Sequence, residues 1–295
     1  MSLPDLHEGE IELRCGTLLA RVRRDIGGGV SGFWRLDATT ALPILRPAAS
    51  APRDPRELSS FPLVPFCNRI EDGRFVWRGR QILLSPNATE EEFPLHGFGW
   101  QAAWNVVERT AEQVILAWRH ERAEWPWMFE TQQRIALSDA GLELCLSLTN
   151  ADSTAMPAGL GWHPYFPLTP QTRLTAEVEH KCETNARSIP TRLVPVPKGG
   201  IFGGAAPYGN PLDSTFLGWQ GEATIEQADP PLSIKLAAEP LPAGLAVFIP
   251  PDSAFLCVEP VTHAPNALND PICALQMRVL QPGERMELTL RMLVT

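Results

Sequence analysis

The chain has 295 residues, of which 44% are hydrophobic and 20% charged, and its formal net charge is −9 at pH 7. This composition is typical of a globular protein and excludes a disordered or fibrous one. The negative charge disfavours nucleic acid as a partner, because a phosphate backbone would be repelled, and a neutral small molecule fits better.

No apolar stretch is long enough to cross a bilayer. The run at 244–250, for example, stops well short of the roughly 18 residues that a membrane-spanning helix needs. Residues 1–10 contain acids and a proline where a secretory signal would have a basic patch and an apolar core. We therefore expect a cytoplasmic protein without a membrane partner.

The cysteines are scattered along the chain without a Cys-x-x-Cys pair. The six are Cys15, Cys67, Cys145, Cys182, Cys257 and Cys273. This spacing argues against a zinc ribbon and against a disulfide framework. We expect most of them to be buried thiols, and we expect no bound metal.

Short windows in which apolar and polar residues alternate predict strands along the whole chain. In the window 142–148, leucines at every second position are separated by Glu143, Cys145 and Ser147, as in a half-buried strand. In chain order the windows are 11–15, 75–77, 114–118, 142–148, 246–249 and 286–292. Because 29 prolines and 22 glycines interrupt every candidate helix, the pattern predicts an all-β protein.

Many short strands with turns between them favour a large antiparallel sandwich with one open concave face. The proline-rich stretch 189–197 is too short for a linker, and the glycine-rich stretch 198–209 is interpreted as a loop, since strand patterns resume after it. No repeat of fixed period is visible. We predict a single domain over residues 1–295.

Two polar positions stand out among apolar neighbours. His163 lies in Gly-Trp-His-Pro-Tyr-Phe at 161–166, and Glu259 follows the apolar run 255–258, which predicts a buried strand. A charge at that place needs a partner or a ligand. An imidazole and a carboxylate on stiff backbone form an acid/base pair, and burial can move their pKa values toward neutrality.

A further cluster supplies groups that could orient a hydroxyl-rich ligand. Arg69 lies in Phe-Cys-Asn-Arg-Ile at 66–70, and His96 lies in Leu-His-Gly at 95–97. Taken singly, each of these residues also has an ordinary structural interpretation. Arg69 fits a surface ion pair and His96 fits a turn.

In this order the motifs resemble the aldose 1-epimerases, also called galactose mutarotases. The resemblance rests on Pro-Phe-Cys-Asn-Arg-Ile at 65–70 with Gly-Arg-Phe at 73–75, on Leu-His-Gly at 95–97, on the run at 161–166, and on Glu-Pro-Val-Thr at 259–262 with Asn-Ala at 266–267. Weaker echoes are the glycines at 27–29, Leu-Asp at 212–213 and Gln-Pro-Gly-Glu at 281–284. The likeness extends over essentially the whole chain.

The resemblance implies a galactose mutarotase-like β-sandwich whose cleft interconverts the α and β anomers of a free aldohexose without a cofactor. It implies that Glu259 is the general base for the anomeric hydroxyl and that His163 is the general acid for the ring oxygen. It also implies that Arg69 and His96 bind sugar hydroxyls, and that Asp213 is a further substrate-binding residue.

The preferred sugar stays open, because the chain departs from the galactose mutarotase pattern. Pro164 stands where those enzymes tend to carry Ser or Thr, and Pro-Leu at 167–168 replaces Asn-Leu. A hexose-6-phosphate 1-epimerase is therefore an alternative, and it would need extra cations. Arg74, Arg78 and Arg80 are near in sequence, although such a run is usually a solvated strand face.

Two alternatives belong to other classes. A catalytically silent sugar-binding protein would keep the cleft, since a fold does not guarantee an activity, although the intact His163 and Glu259 argue against it. A metal-dependent β-barrel enzyme would use His96, His163 and Glu259 as ligands, although no His-x-His spacing supports it. The oligomeric state is unknown from the sequence.

Overall fold

The computed structural model describes residue 3, residues 5–7, residues 9–269 and residues 277–295, and strands, turns and loops dominate it. The helices of these residues are single 3-10 turns, namely Pro55–Glu57 (η1), Glu71–Gly73 (η2) and Gly99–Gln101 (η3). No helix among them has the length or the apolar character to span a membrane.

The described residues form 24 strands. The first twelve are β1 (Glu10–Cys15), β2 (Leu18–Arg23), β3 (Gly29–Leu36), β4 (Ala41–Pro43), β5 (Pro62–Leu63), β6 (Arg74–Trp77), β7 (Arg80–Leu83), β8 (Asn105–Arg109), β9 (Gln113–His120), β10 (Phe129–Ser138), β11 (Gly141–Asn150) and β12 (Met156–Ala158). The others are β13 (Gly161–Trp162), β14 (Tyr165–Pro167), β15 (Arg173–Ala176), β16 (His180–Thr184), β17 (Pro190–Pro195), β18 (Leu212–Leu217), β19 (Glu222–Ala228), β20 (Pro231–Glu239), β21 (Gly244–Ile249), β22 (Phe255–Val261), β23 (Arg278–Leu280) and β24 (Arg285–Val294).

Two large antiparallel sheets of eight strands make up the sandwich. The strand order is β15-β19-β20-β24-β11-β10-β9-β8 in one sheet and β17-β16-β18-β21-β22-β13-β5 in the other, where β14 also pairs with β22. A four-stranded sheet, β1 to β4, and the ribbons β6-β7 and β12-β23 complete the described part. This architecture confirms the predicted all-β sandwich, and no closed barrel forms within it.

The alternation read from the sequence corresponds to strands that bury leucines in the core. On β11 and β24, Leu144 pairs with Leu290 and Leu146 pairs with Leu288, and all four are fully buried. Each predicted window lies in a strand: 11–15 in β1, 75–77 in β6, 114–118 in β9, 142–148 in β11, 246–249 in β21 and 286–292 in β24. The proline-rich stretch supplies β17 at a sheet edge, where a missing N–H is tolerated.

Strand β22 is buried on both faces, and this decides where its side chains point. Leu256 and Val258 pack into the principal core together with the leucines of β11. Cys257 and Val261 belong to a second cluster that includes Phe61. A strand that is covered on both sides has a nearly continuous apolar sequence. A polar residue in such a strand points either into the core or into the cleft.

The cysteines of the described residues form no disulfide with one another. Cys67, Cys145, Cys182 and Cys257 are buried, and Cys15 is partly exposed. Cys273 lies outside the described residues. The thiols in the described part therefore follow the expectation of buried, unbridged cysteines.

Candidate active site

The register of three adjacent strands places Glu259 in the cleft. It lies opposite Ala246 of β21, which in turn lies opposite Thr215 of β18. Successive side chains alternate between the faces of a strand, so Glu259 points away from the core face that carries Leu256 and Val258. The carboxyl is almost completely buried, and neighbouring groups rather than water must satisfy it.

Asp213 lies on the same face of the sheet, at the mouth of the cleft. It precedes Thr215 by two residues and pairs with Phe248 of β21. Two strand spacings, or about 10 Å laterally, separate its strand from that of Glu259. The side chain reaches solvent, yet the surrounding protein raises the pKa of the carboxyl, and the Arg69 cation opposes this rise.

His163 lies between β13 and β14, where packing and a main-chain hydrogen bond hold it. Its main-chain N–H donates to the carbonyl of Phe61 at 3.0 Å. The imidazole stacks on Phe61 with a centroid distance of 4.6 Å and on Tyr165 at 4.7 Å. Its Nε2 lies 3.2 Å from Oε1 of Glu259. The two stacked rings restrict rotation of the imidazole and keep Nε2 directed at the carboxyl.

A guanidinium also packs on Tyr165. The central carbon of the Arg46 guanidinium lies 3.8 Å from the centroid of the Tyr165 ring, a cation–π contact. Arg46 further donates to the carbonyls of Arg56 and Leu58 at 2.7 and 2.6 Å. Tyr165 is therefore fixed between the imidazole of His163 and a cation that the sequence did not single out.

Arg69 is held by a carboxylate that the sequence also left unmarked. Its Nε and Nη2 donate to the two carboxylate oxygens of Glu91 at 2.9 and 3.0 Å, a bidentate pair. A β-bridge to Leu95 fixes the Arg69 main chain. Glu91 is the middle member of the run Glu-Glu-Glu at 90–92, and only the tertiary fold distinguishes it from its neighbours.

His96 presents a neutral N–H donor. It occupies the left-handed region with φ 58°, and its main-chain N–H donates to the carbonyl of Asn68 at 3.0 Å. The N–H of Asn68 donates in turn to Nδ1 of His96 at 3.1 Å, so the neutral ring carries its proton on Nε2. Burial lowers the pKa of His96 well below its ordinary value, and His163 and Arg69 add to this lowering.

Two side chains outside the singled-out residues brace these loops. Asn87 donates to the carbonyls of Leu95 and Gly97 at 2.9 and 2.7 Å, and its Oδ1 accepts from the N–H of Leu95 at 2.7 Å. His263 accepts at Nε2 from the N–H of Cys67 at 2.9 Å. Asn87 thus fixes the turn that carries His96, and His263 fixes the segment that leads to Arg69.

The five residues singled out as catalytic or substrate-binding line one cavity of about 180 Å³. This volume lies below the roughly 300–1,000 Å³ of pockets for drug-sized ligands and suits a single sugar ring. A larger cavity of about 760 Å³ beside β15 and the glycine-rich loop contains none of the five. The lining of the smaller cavity is Arg56, Phe61, Asn68, Arg69, Glu91, Leu95, His96, His163, Tyr165, Asp213, Ala246, Val247, Phe248 and Glu259.

Burial shifts the pKa values of the central pair in opposite directions. It raises the pKa of Glu259 well above its ordinary value, with Asp213 adding and Arg69 opposing. It lowers the pKa of His163 to about 3, away from neutrality and opposite to the shift expected from the sequence. Both shifts favour the uncharged forms because desolvation penalises charge. The two uncharged forms together make a pair without net charge.

A third potential ligand atom lies beside this pair. Cys257 precedes Glu259 by two residues on β22, and its Sγ, a ring nitrogen of His163 and a carboxyl oxygen of Glu259 lie within 4.8 Å of one another. All three residues are buried. The metal set considered from the sequence had His96 in place of Cys257, and the group found among the described residues does not include His96.

Sheet topology and cleft together define a galactose mutarotase-like protein. A sequence profile of the family described as aldose 1-epimerase matches residues 11–293. The chain belongs to the aldose 1-epimerase family.

Two relatives with similar sequences are described as uncharacterized proteins. The chain is 34% identical over 270 residues to the uncharacterized protein YphB of Escherichia coli (strain K12). The aligned region covers 88% of this chain and 90% of YphB. It is 27% identical over 236 residues to the uncharacterized protein YihR of the same organism, with 75% of each chain covered.

Solved structures share the fold along nearly the whole chain. A candidate aldose 1-epimerase from Escherichia coli K12 superposes with a TM-score of 0.88 at 32% identity, over 97% of this chain and 98% of that one. A galactose mutarotase-like protein from Clostridium acetobutylicum superposes with a TM-score of 0.86 at 20% identity, over 97% and 95%. The second likeness concerns the fold alone.

The buried histidines make folding stability depend on pH. Burial lowers the pKa of His263 to about 4 and that of His163 to about 3. Between these values and about 6.5, the unfolded chain binds protons that the folded chain does not, so the free energy of unfolding falls as the pH decreases. The raised pKa of Glu259 acts in the opposite direction.

We predict that His263→Asn weakens the pH dependence of the free energy of unfolding by about 1.4 kcal/mol per pH unit between roughly pH 6 and pH 4.5. The substitution removes one group that takes up a proton only on unfolding. Urea unfolding at several pH values measures the slope. His180→Asn, at an exposed histidine, is the control. Equal slopes for His263→Asn and the parent would contradict the prediction.

Proposed function

We propose that this chain interconverts the α and β anomers of a free aldohexose by acid/base opening and reclosure of the sugar ring. The observation that carries the proposal is the 3.2 Å contact between His163 Nε2 and Glu259 Oε1 in the cavity. The two reacting oxygens of a pyranose are bonded to the same carbon, C1. Their acid and base must therefore also be neighbours, as these two groups are.

In the proposed reaction Glu259 is the general base and His163 is the general acid. Glu259 takes the proton of the anomeric hydroxyl while His163 gives a proton to the ring oxygen, and the bond between C1 and the ring oxygen breaks. After rotation about the bond between C1 and C2, the carbonyl presents its other face. Both proton transfers then reverse, and the pair ends in its starting state. The chemistry transfers protons only, and we propose that it uses no cofactor.

The proton count of the pair supports this sequence of steps. A pair without net charge exists either as carboxylic acid with imidazole or as carboxylate with imidazolium, and one proton moved between Oε1 and Nε2 interconverts them. The second form contains the base and the acid that ring opening needs. Ring opening consumes it and leaves the first form. Burial favours the first form, so the charges exist only briefly.

The groups around the pair are suited to binding hydroxyls. We assign Arg69 as a donor held in place by Glu91, and His96 as a donor through Nε2. Asp213 is assigned as an acceptor at the mouth of the cleft. Donors and acceptors in this arrangement match a ligand whose hydroxyls both donate and accept.

The charge balance of the cavity favours a neutral sugar over a sugar phosphate. Of the arginines that line it, Arg69 pairs with Glu91 and Arg56 pairs with Asp54. Arg74, which pairs with the exposed Asp72, is not part of the lining. Neither Arg78 nor Arg80 lines the cavity. A hexose-6-phosphate 1-epimerase is the second candidate function, and it would require one of the paired arginines to exchange its carboxylate for the phosphate.

Domain organisation and location are part of the proposal. The principal core includes residues from Ile11 to Met292, which supports one domain over residues 1–295. The free thiols of the described residues favour a reducing compartment, and we propose the cytoplasm. A small-molecule sugar is the proposed partner.

We predict that Glu259→Gln and His163→Asn each lower kcat for mutarotation by about 10² to 10⁴, the usual effect of losing a positioned acid or base. Polarimetry on a panel of free aldohexoses measures the rate, and circular dichroism checks the fold. The matched controls are Glu130→Gln and His180→Asn, at exposed positions away from the cleft. Rates for Glu259→Gln equal to those of the parent would exclude the mechanism, and a parent without activity would favour a silent binding protein.

We predict that Glu91→Gln raises KM about tenfold, equivalent to ~1.4 kcal/mol of binding free energy, with a smaller change in kcat. Loss of the bidentate partner lets Arg69 move without touching the acid/base pair. Glu90→Gln, at the exposed neighbouring position, is the control. A loss confined to kcat would show that Glu91 acts in the chemical step instead.

We predict that kcat/KM for a free aldohexose exceeds that for its 6-phosphate by at least about tenfold, because the arginines of the cavity already have carboxylate partners. A coupled assay on both substrates at low and high ionic strength measures the ratio. A preference for the phosphate that weakens with added salt would establish the second candidate function.

A further inference from the structure

Cys257 is a buried thiol beside the acid/base pair, and the proposed mechanism does not use it. It lies on the cleft face of β22, in register with Tyr165 of β14 and Phe248 of β21. Its sulfur, a ring nitrogen of His163 and a carboxyl oxygen of Glu259 lie within 4.8 Å of one another. Clusters that consist of exposed acids are common on protein surfaces, but all three members of this one are buried.

The chemistry of these atoms selects a narrow class of cation. Sulfur, imidazole nitrogen and carboxylate oxygen together suit Zn²⁺ and similar thiophilic cations, whereas Mg²⁺ and Ca²⁺ prefer oxygen alone. Tetrahedral Zn²⁺ has bonds of about 2.0–2.3 Å, which place its ligand atoms roughly 3.3–3.8 Å apart. Nε2 and Oε1 are already 3.2 Å apart, and no two of the three ligand atoms are more than 4.8 Å apart, so side-chain movements of about 1 Å complete such a site.

Charge and proton balance favour occupancy. A divalent cation binds the thiolate of Cys257, the carboxylate of Glu259 and the neutral imidazole of His163, and any proton on the ligand atoms is released to solvent. The products are a thiolate, a carboxylate, an imidazole and a cation of charge +2, so the buried site stays neutral overall. Coordination deprotonates a thiol even where the free thiol resists ionisation.

The cleft supplies an entry path and room for a fourth ligand. His163 and Glu259 line the cavity, and exposed Asp213 lies at its mouth. A carboxylate at the entrance attracts a cation, and water in the cavity can occupy the fourth position. Three protein ligands and one open position are the usual arrangement of an accessible zinc site.

We propose that His163, Cys257 and Glu259 form an inhibitory binding site for a thiophilic divalent cation, with Zn²⁺ as the reference ion. The bound cation coordinates the imidazole nitrogen and the carboxylate that transfer protons, and it blocks the position that C1 of the sugar would take. The inhibitory effect rests on the proposed epimerase function, whereas the binding itself does not. Inhibition is expected to be competitive with the sugar and reversible by a chelator.

The first test measures binding without any activity. Co²⁺ is added to the full-length protein as a spectroscopic substitute for Zn²⁺, and absorption in the near ultraviolet reports a sulfur-to-cobalt bond. The parent and Cys67→Ser are expected to give this band, while Cys257→Ser is not. Cys67 is the matched control because it is a buried thiol of the same apolar cluster as Cys257.

The second test measures mutarotation while Zn²⁺ is titrated, with Mg²⁺ as the comparison ion. We predict that Zn²⁺ abolishes the activity, that a chelator restores it, and that Cys257→Ser raises the half-inhibiting Zn²⁺ concentration by at least about tenfold relative to its own uninhibited rate. Mg²⁺ at the same concentrations is expected to have no effect.

The outcomes separate this inference from the proposed function. A parent without the cobalt band, or Cys257→Ser with an unchanged band, overturns the inference. An active parent with the band and without zinc inhibition also overturns it. A cobalt band in a parent that has no mutarotase activity supports the metal site and contradicts the proposed function instead. Circular dichroism of both serine variants confirms that the folds compared are the same.

Discussion

The contact between Glu259 and His163 is the constraint on which the rest of the cleft depends. An unpaired charge at such a buried position costs several kcal/mol, and the imidazole 3.2 Å away supplies a partner without adding net charge. Because burial favours the uncharged form of each group, the pair can lie in the interior without a permanent counter-ion. Charges are also balanced nearer to solvent, where Arg69 and Arg56 each form an ion pair with a carboxylate.

The sandwich positions the two members of the pair by different physical means. Strand β22 is buried on both faces, so strand alternation alone commits Glu259 to the cleft while its neighbours fill the core. His163 lies between two short strands, where the sheet register does not extend. Its ring is oriented by stacking on Phe61 and Tyr165, and one main-chain hydrogen bond holds its backbone. Changes in this packing would tilt the imidazole and leave the sheet intact, whereas changes in β22 would disturb core and cleft together.

The strands and the motif residues could be predicted from the sequence because their signals are local. Alternation predicted six strands, and a charge directly after an apolar run marked Glu259. Glu91 gave no such signal, since it is one of three consecutive glutamates and only the fold brings it to Arg69. Arg46 was missed for the same reason. The direction of the His163 pKa shift was also beyond the sequence, because it depends on whether desolvation outweighs the groups that stabilise an imidazolium, and this balance is a property of the assembled sandwich.

An acid/base pair and a metal site make similar demands on a protein. In this cleft both would use the nitrogen of His163 and the oxygen of Glu259, held rigidly and close together, and these two atoms suffice for proton transfer. What distinguishes the two kinds of site is a third ligand atom. The thiol of Cys257 has no part in the proposed proton transfers, since burial raises its pKa well above its ordinary value. A serine of similar size would fill the same place on the sheet. The identity of residue 257 therefore separates a cleft that only transfers protons from one that also binds a thiophilic cation, while the sugar-binding residues at its mouth stay the same.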